Sequence, residues 1–153
     1  RIYLDTSIIH SWFRKYMESQ RGGTAFEEPA ILRFIFQIKG NEYIVSSITK
    51  VEIIRYLSSE WGASRRECDD NWERFVQLYN VTYLEVEKID FDEMADVVVS
   101  IKTRKKTLVN LQHLQVAKHE NLWFLTGEKA LVEKYRSYYE KILTYGNLRA
   151  MLT

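Results

Sequence analysis

The sequence predicts an α/β protein, a three-layer α/β/α sandwich in which a mostly parallel sheet is covered by helices on both faces. Two observations predict this class. Short β-branched and aromatic runs alternate along the chain with longer segments of helical periodicity. The predicted strands are apolar at successive positions, which is typical of parallel strands buried on both faces. The 153 residues show no internal repeat and no linker, so we expect a single domain spanning residues 1–153.

The first strand and helix are predicted from the opening residues. The run "RIYL" has the content of a short buried strand, and "SIIHSWFRKYM" carries apolar residues at helical spacing. The next stretch, "MESQRGGTAF", is rich in turn residues and is predicted to be a loop. A second helix is predicted in "EEPAILRFIFQIKG", because acids and the only proline stand at its start and Gly40 at its end.

The middle of the chain adds two strands and three helices. The run "EYIVS" is a predicted strand, and "SITKVEIIRYLSS" a helix whose apolar stripe we assign to Val51, Ile54 and Tyr56 to Leu57. In "GASRRECDDNWERFVQLY", Ser64 and Glu67 form a capping-box pattern, and Cys68 belongs to the predicted buried face. After the strand "VTYLEV", Asp90 is predicted to cap the helix "DFDEMADVVVSIKTRKK".

The last part of the chain continues the alternation. The predicted elements are the helix "TLVNLQHLQVAKHE", the strand "LWFLT", the helix "EKALVEKYRSYYEK" and the strand "ILTY".

Composition restricts the class of protein without identifying a partner. Hydrophobic residues make up 46% of the chain and charged residues 28%, which excludes a disordered chain. The 22 basic and 21 acidic residues nearly cancel, so attraction to nucleic acid must come from local patches. A lone Cys68 forms no internal disulfide, and no long apolar run or signal-like start appears. We therefore expect a cytoplasmic protein that has no membrane segment.

Acidic side chains recur where the predicted strands end. Asp5 ends the first strand, and Glu128 follows the strand "LWFLT". Glu52 lies on the first turns of the helix after the second strand. In parallel sheets ligands bind outside the carboxyl ends of the strands, so these carboxylates are predicted to face one rim. Asn110 is predicted to join them, on one helix face with His113.

Each of these residues also has a purely structural interpretation. Asp5 or Ser7 would cap the following helix, and Glu52 and Glu128 would be acids favoured by a helix dipole. Together, however, neighbouring carboxylates repel one another unless a cation lies among them. A few carboxylates with open positions for water suit Mg²⁺ or Mn²⁺.

With these residues the chain resembles a PIN domain. The matching pieces are "IYLDTSII", "SSITKVEIIRYL" and "NLQHLQVAKHENLWFLTGEKAL", and their order and spacing extend over nearly the whole chain. The resemblance implies an α/β/α sandwich and a metal-dependent ribonuclease site that uses Mg or Mn. Many family members resemble the toxins of VapBC toxin–antitoxin pairs. For this chain that implies RNA as substrate, a small antitoxin as partner, and a homodimer.

Carried over by position, the resemblance gives Asp5 and Glu52 as the first two acids. Asn110 stands where the family usually has its third acid, and Glu128 replaces the usual Asp after Thr-Gly. The catalytic set is therefore Asp5, Glu52, Asn110 and Glu128, with Asp5, Glu52 and Glu128 as metal ligands. Because Asn110 offers an oxygen but no full charge, we expect weaker metal binding than in a four-acid site.

Further residues are predicted to support this site. Thr6, Ser7 and Thr126 are candidates to hydrogen-bond the waters of the metal or the phosphate. His113 is a candidate for a supporting role, although a core histidine is the alternative. Among the basic clusters, Arg104, Lys105 and Lys106 are favoured for phosphate contact because they directly precede the helix that bears Asn110.

Three other functions were compared with the nuclease. Haloacid-dehalogenase-like enzymes need a second Asp where Ser7 stands, and response regulators need an early acidic pair that this chain lacks. The main alternative is a PIN-fold protein without catalysis, which serves as a nucleic-acid-binding or protein-interaction module. Asn110 is the residue that favours that alternative.

Overall fold

The computed structural model describes residues 1–152, apart from the side chain of Lys106, and its centre is a five-stranded sheet. The strands are β1 (Ile2–Leu4), β2 (Tyr43–Ser46), β3 (Thr82–Leu84), β4 (Trp123–Thr126) and β5 (Ile142–Thr144). They lie in the order β3-β2-β1-β4-β5, and each neighbouring pair is parallel. The predicted α/β fold with a parallel sheet is confirmed.

Helices connect successive strands, as a parallel sheet requires. Within residues 1–152 they are α1 (Thr6–Gly22), α2 (Ala30–Gln37), α3 (Ser47–Trp61), α4 (Arg65–Tyr79), α5 (Phe91–Ile101), α6 (Leu108–His119), α7 (Lys129–Tyr135) and α8 (Tyr145–Leu152). A short 3₁₀ helix at Lys105–Thr107 leads into α6. None of these helices is both long and apolar enough to cross a bilayer.

The sheet separates two hydrophobic cores, because successive strand residues point to opposite faces. Ile2 and Leu4 belong to the core that includes α1 to α4 and α8, whereas Tyr3 belongs to the core that includes α5 to α7. The first core contains an aromatic group in which the rings of Trp12 and Phe13 lie 4.9 Å apart and those of Phe13 and Phe75 5.2 Å apart. These two cores are the physical reason for the three layers.

Local sequence signals located the starts of the helices better than their ends, since the helices predicted to end at Lys106 and Lys141 end at Ile101 and Tyr135. Ser64 accepts a hydrogen bond from the Glu67 amide at 3.1 Å, and Asp90 accepts one from the Glu93 amide at 3.0 Å, so both predicted caps are confirmed. The loop predicted from Met17 is wrong in its first six residues, because α1 continues to Gly22. The buried side chain of Met17 holds that extra turn and a half against the core.

Two other expectations need correction. Val51 was assigned to the apolar stripe of α3 but is 65% exposed, and the buried positions are Thr49, Ile53 and Leu57. These three repeat every four residues, which leaves Val51 on the other side of the helix. Tyr145, predicted as the end of the last strand, instead begins α8.

Candidate functional site at the carboxyl edge of the sheet

The chain adds strands first on one side of β1 and then on the other, so the direction of the connections reverses between β1 and β4. From β1 the chain builds outward through β2 and β3 on one side, and through β4 and β5 on the other. Such a switch point opens a crevice outside the carboxyl ends of the strands. The residues directly beyond those ends are Asp5 after β1 and Gly127 and Glu128 after β4. A backbone hydrogen bond links the ends of β1 and β4, because the Asp5 amide donates to the Leu125 carbonyl at 2.9 Å.

Asp5 is held in the crevice by two hydroxyls. The residue is 2% exposed, and its Oδ2 accepts from Ser7 Oγ at 2.7 Å and from Thr126 Oγ1 at 2.8 Å. The side chain does not cap α1, so the capping interpretation of Asp5 is wrong. No donor within the described residues bonds to Oδ1, which leaves that oxygen for a ligand.

The same hydroxyls organise the turn after β4. Ser7 Oγ accepts from the Gly127 amide at 3.0 Å, and Thr126 Oγ1 accepts from the Glu128 amide at 3.0 Å. A Cβ at Gly127 would lie 3.4 Å from Ser7 Oγ, so glycine permits the close approach of this turn to α1. Ser7 and Thr126 therefore position Asp5 and Glu128 rather than pointing freely toward a substrate.

Glu52 approaches the rim from α3 and is half-buried. Its Oε1 accepts from Thr6 Oγ1 at 2.6 Å and lies 2.5 Å from Nε2 of His113. Burial by itself would raise the pKa of Glu52, but the hydrogen bonds and charge of His113 and the hydroxyl of Thr6 hold that pKa below its usual value. Glu52 lies on the second turn of α3, and the first turn holds no acid. The interpretation of Glu52 as a first-turn acid favoured by the helix dipole is therefore wrong. Thr6 contacts this carboxylate directly.

A buried row of polar groups lies behind Glu52. His113 is fully buried, and its Nδ1 lies 2.5 Å from the Tyr3 hydroxyl, which in turn lies 2.5 Å from Ser46 Oγ. A carboxylate can only accept, so we assign a hydrogen of His113 to Nε2, which donates to Glu52. Burial raises the pKa of Tyr3, which keeps this phenol protonated as a donor.

Glu128 lies at the first position before α7 without capping it. Partial burial raises the pKa of this carboxyl, and the negative charges of Asp5 and, more weakly, Glu52 raise it further. Asn110 opposes the shift, because its Nδ2 donates to Glu128 Oε2 at 3.4 Å. No basic side chain is among the groups that act on Glu128. The three acids are thus electrostatically coupled, and Asn110 joins them as predicted.

Within residues 1–152, no group of three or more His, Cys, Asp or Glu side chains is arranged to hold a metal ion. The donor chemistry nevertheless fits a hard cation. Mg²⁺ prefers oxygen ligands, keeps several waters, and is usually held by one or two carboxylates. Asp5 and Glu128 supply carboxylate oxygens, and no cation is among the groups that offset the repulsion at Glu128.

The favoured basic segment makes no described hydrogen bond or ion pair with the acids. Arg104 and Lys105 are exposed and stand at the start of the 3₁₀ helix that precedes α6. Their described atoms make no hydrogen bond or ion pair with Asp5, Glu52 or Glu128. The side chain of Lys106 lies outside the described part of the chain.

Sequence reasoning missed two members of the site, Tyr3 and Ser46. Tyr3 was assigned only to a strand, yet its place between Ile2 and Leu4 turns it to the other face of the sheet. A tyrosine at the centre of an otherwise aliphatic strand could have predicted a buried hydrogen bond, because a buried tyrosine hydroxyl usually has a hydrogen-bond partner.

No protein-family model matches the chain, and no curated protein matches it. The PIN-domain resemblance therefore stays a prediction made from the residues.

Proposed function

We propose that the chain is a metal-dependent endoribonuclease of the PIN-domain type, with a weakened acidic site. The observation that carries the proposal is the electrostatic coupling of Asp5, Glu52 and Glu128 at the switch point of a parallel sheet. An arrangement that raises the pKa of one of its own acids costs stability unless a cation is recruited. Structural acids on a protein surface are usually paired instead.

In this proposal Asp5, Glu52 and Glu128 hold Mg²⁺ or Mn²⁺. When bound, the ion supplies Lewis-acid chemistry, lowering the pKa of a water and offsetting charge on the scissile phosphate of RNA. Ser7 and Thr126 fix the orientation of Asp5, and Thr6 and His113 fix that of Glu52. The lowered pKa of Glu52 keeps this carboxylate ionised at neutral pH.

The alternative is a PIN-fold protein without catalysis that binds nucleic acid or another protein. Asn110 favours it, because its amide donates to Glu128 and so occupies one of the few carboxylate oxygens at the rim. The two functions differ in whether the acids bind a metal at all. An inert module has no reason to bind Mn²⁺.

A cleavage assay with structured and single-stranded RNA in Mn²⁺ separates these functions. We expect the parent protein to cleave and Asp5→Asn to lose at least about a hundredfold in rate, because a ligand that supplies several kcal/mol of stabilisation is gone. Asp70→Asn, an exposed change of the same chemistry on α4, is the matched control and should cleave like the parent. Absence of cleavage by the parent, or equal rates for the parent and Asp5→Asn, would sink the enzyme hypothesis.

Restoring the charge at position 110 tests whether the site is weakened. We expect Asn110→Asp to bind Mn²⁺ about tenfold more tightly, because affinity for a hard cation rises with the number of charged ligands. Titration calorimetry measures this directly, with Asn41→Asp, an exposed change before the amino end of β2, as control. Equal Mn²⁺ affinities for Asn110→Asp and the parent would show that position 110 is not a ligand position.

A toxin role of the VapC type adds two partners to this proposal, a small antitoxin protein and a second copy of the chain. The resemblance to the family supports both. Co-purification of a small protein encoded beside this one tests the antitoxin, and size-exclusion chromatography with light scattering tests the homodimer. A monomer that purifies alone from its native host would oppose the toxin role.

A further inference from the structure

An apolar cavity adjoins the carboxylate rim. It lies between α3, α6 and the segment that joins β3 to α5, and its volume is about 370 Å³. Five aliphatic side chains form most of its wall, namely those of Ile48, Val51, Val86, Ile89 and Val109. We call this space the α3–α6 cavity. Its size and its mostly apolar lining are typical of sites that bind small molecules.

The wall of the cavity is partly anchored and partly exposed. Ile48, Val86 and Ile89 pack against the core that includes α5 to α7, so these side chains are held in place without a ligand. Val51 completes the wall from α3 and is 65% exposed. Aliphatic surface that faces water gains free energy when a ligand covers it. The cavity is therefore a preformed surface that favours a ligand with apolar faces.

The cavity and the rim share Glu52. This acid lines the cavity from α3, and its Oε1 contacts His113. On α6, the cavity residue Val109 directly precedes Asn110 of the site. Gln112, the other cavity residue of α6, directly precedes His113. A group bound in the cavity would therefore lie beside a group bound at the rim.

Gln112 is a polar member of the cavity wall whose amide makes no hydrogen bond with the described residues. Its side chain is half-buried. Ser47 also lines the cavity, but its hydroxyl accepts from the Val86 amide at 3.0 Å. Gln115, one turn further along α6, accepts from the Asp90 amide at 2.9 Å and donates to the Asp90 carbonyl at 2.8 Å. The amide of Gln112 therefore offers one acceptor and two donors to a ligand.

We propose that the α3–α6 cavity binds one nucleobase of the RNA substrate and that Gln112 selects adenine there. This inference rests on the proposed function, which brings a phosphodiester to the rim. It adds a preference for sequence, which the rim cannot provide because phosphates carry no sequence information. An apolar side chain of a partner protein would cover the same wall but bury the Gln112 amide without a hydrogen bond, which is costly. A nucleobase has both apolar faces and a hydrogen-bonding edge.

Adenine is favoured over the other three bases for two reasons. A glutamine side chain can donate to and accept from one edge of adenine at the same time, and proteins commonly recognise adenine through this pair of hydrogen bonds. Guanine, cytosine and uracil each carry a carbonyl oxygen, for which the aliphatic wall provides no donor. Adenine therefore leaves the fewest polar atoms unpaired in the cavity.

NMR titration tests the proposal without cleavage. The full chain, labelled with nitrogen-15, is titrated in EDTA with AMP, GMP, CMP and UMP, and separately with adenosine. We expect AMP to bind about tenfold more tightly than the other three nucleotides, since a good pair of hydrogen bonds to a base gives discrimination of this order. Adenosine lacks a phosphate and should bind nearly as tightly as AMP. The amide signals that shift should include those of Val51 and Val109.

Two variants test the parts of the cavity separately. Gln112→Leu keeps the apolar volume and removes the amide, so the preference for AMP should fall to about twofold. Gln77→Leu, the same change at an exposed position of α4, is its control and should keep the preference of the parent. Val51→Asp brings a charge to the apolar wall and should weaken adenosine binding about tenfold. Its control is Val99→Asp, at a position of α5 that is 77% exposed. Circular dichroism checks that all four variants stay folded.

Three results would overturn the proposal. The first is equal affinity of the parent for all four nucleotides, or no shift with any of them. The second is binding of AMP without binding of adenosine, which would place the affinity in the phosphate. The third is a parent dimer in light scattering that Val51→Asp dissociates and Val99→Asp does not, which would make a second copy of the chain the occupant of the cavity.

The outcome is separable from that of the cleavage assay. Adenosine binding that depends on Gln112 and Val51 supports the cavity even if the parent cleaves nothing, because the titration contains no metal. Cleavage of RNA by a parent that binds no nucleoside overturns the cavity and leaves the nuclease standing.

Discussion

The residues behind Glu52 form a continuous hydrogen-bonded row from Ser46 through Tyr3 and His113 to the carboxylate. Tyr3, Ser46 and His113 are each fully buried. Buried polar groups are tolerated only when each has a hydrogen-bond partner, and here each residue of the row is a partner of the next. The row therefore fixes one orientation of Glu52 from inside the core.

Removing one hydroxyl breaks the row. We expect Tyr3→Phe to lower the free energy of unfolding by about 1–3 kcal/mol, because Nδ1 of His113 and the Ser46 hydroxyl lose a buried partner. Urea denaturation measures the change. Tyr145→Phe is the control, since the Tyr145 hydroxyl makes no hydrogen bond within the described residues and its loss should cost little. Equal losses in the two variants would contradict a structural role for the row.

Sequence could predict the acids of the site but not this row. Asp5 and Glu128 each end a strand, and a parallel sheet brings strand ends to one edge wherever the strands lie. The partners of Tyr3 are 43 and 110 residues away in sequence, so their contact depends on which strands and helices become neighbours. Periodicity carries no information about that choice.

At the scale of the helices, local chemistry was a better guide to where a helix begins than to where it ends. Both predicted side-chain caps are present, because an N-cap needs only a short polar side chain and an amide three residues on. Local chemistry did not predict which face of α3 is exposed. Val51 is exposed, and with Glu52 on α3 and Val109 on α6 it lines a mostly apolar cavity of about 370 Å³.

The cap of α4 gives a direct test at this scale. We expect Ser64→Ala to lower the free energy of unfolding by about 1 kcal/mol, because the Glu67 amide at the start of α4 loses its acceptor. Ser59→Ala, an exposed change within α3, removes a hydroxyl without uncapping a helix and serves as the control. A thermal or urea melt that fails to separate the two variants would argue against the cap.

For the whole molecule, the strand order was beyond the reach of sequence. The five strands have three or four residues each and similar sequences. Only the packing of both cores decides that β1 lies between β2 and β4. That central position is what brings Asp5 beside Thr126. The fold class was predictable from sequence. The position of the switch point between β1 and β4, and the full set of residues around it, were not.

The acids make the stability of the whole fold depend on pH in two opposing ways. The lowered pKa of Glu52 gives stability at neutral pH that is lost as the pH falls through that pKa. The raised pKa of Glu128 does the reverse, since the ionised form costs stability in the fold and protonation on acidification relieves it.

Neutralising Glu128 separates the two effects. We expect Glu128→Gln, in EDTA at pH 7, to melt up to about 2 °C higher than the parent, a small gain because this side chain is largely exposed. The difference should shrink as the pH falls toward the ordinary carboxyl value of 4.5. Scanning calorimetry at several pH values measures it, with Glu60→Gln on the exposed end of α3 as control. A gain that grows on acidification would contradict the raised pKa.

The pairing of β1 with β4 also governs when the protein becomes competent during its synthesis. Asp5 is synthesised well before the strand beside it, Trp123–Thr126, and before Thr126, whose hydroxyl holds the Asp5 carboxylate. Until that later segment has left the ribosome, β1 lacks its neighbour on that side and the rim lacks Glu128. A nascent chain that has not reached β4 therefore carries Asp5 and Glu52 without a finished crevice, so any activity of the rim must wait for β4.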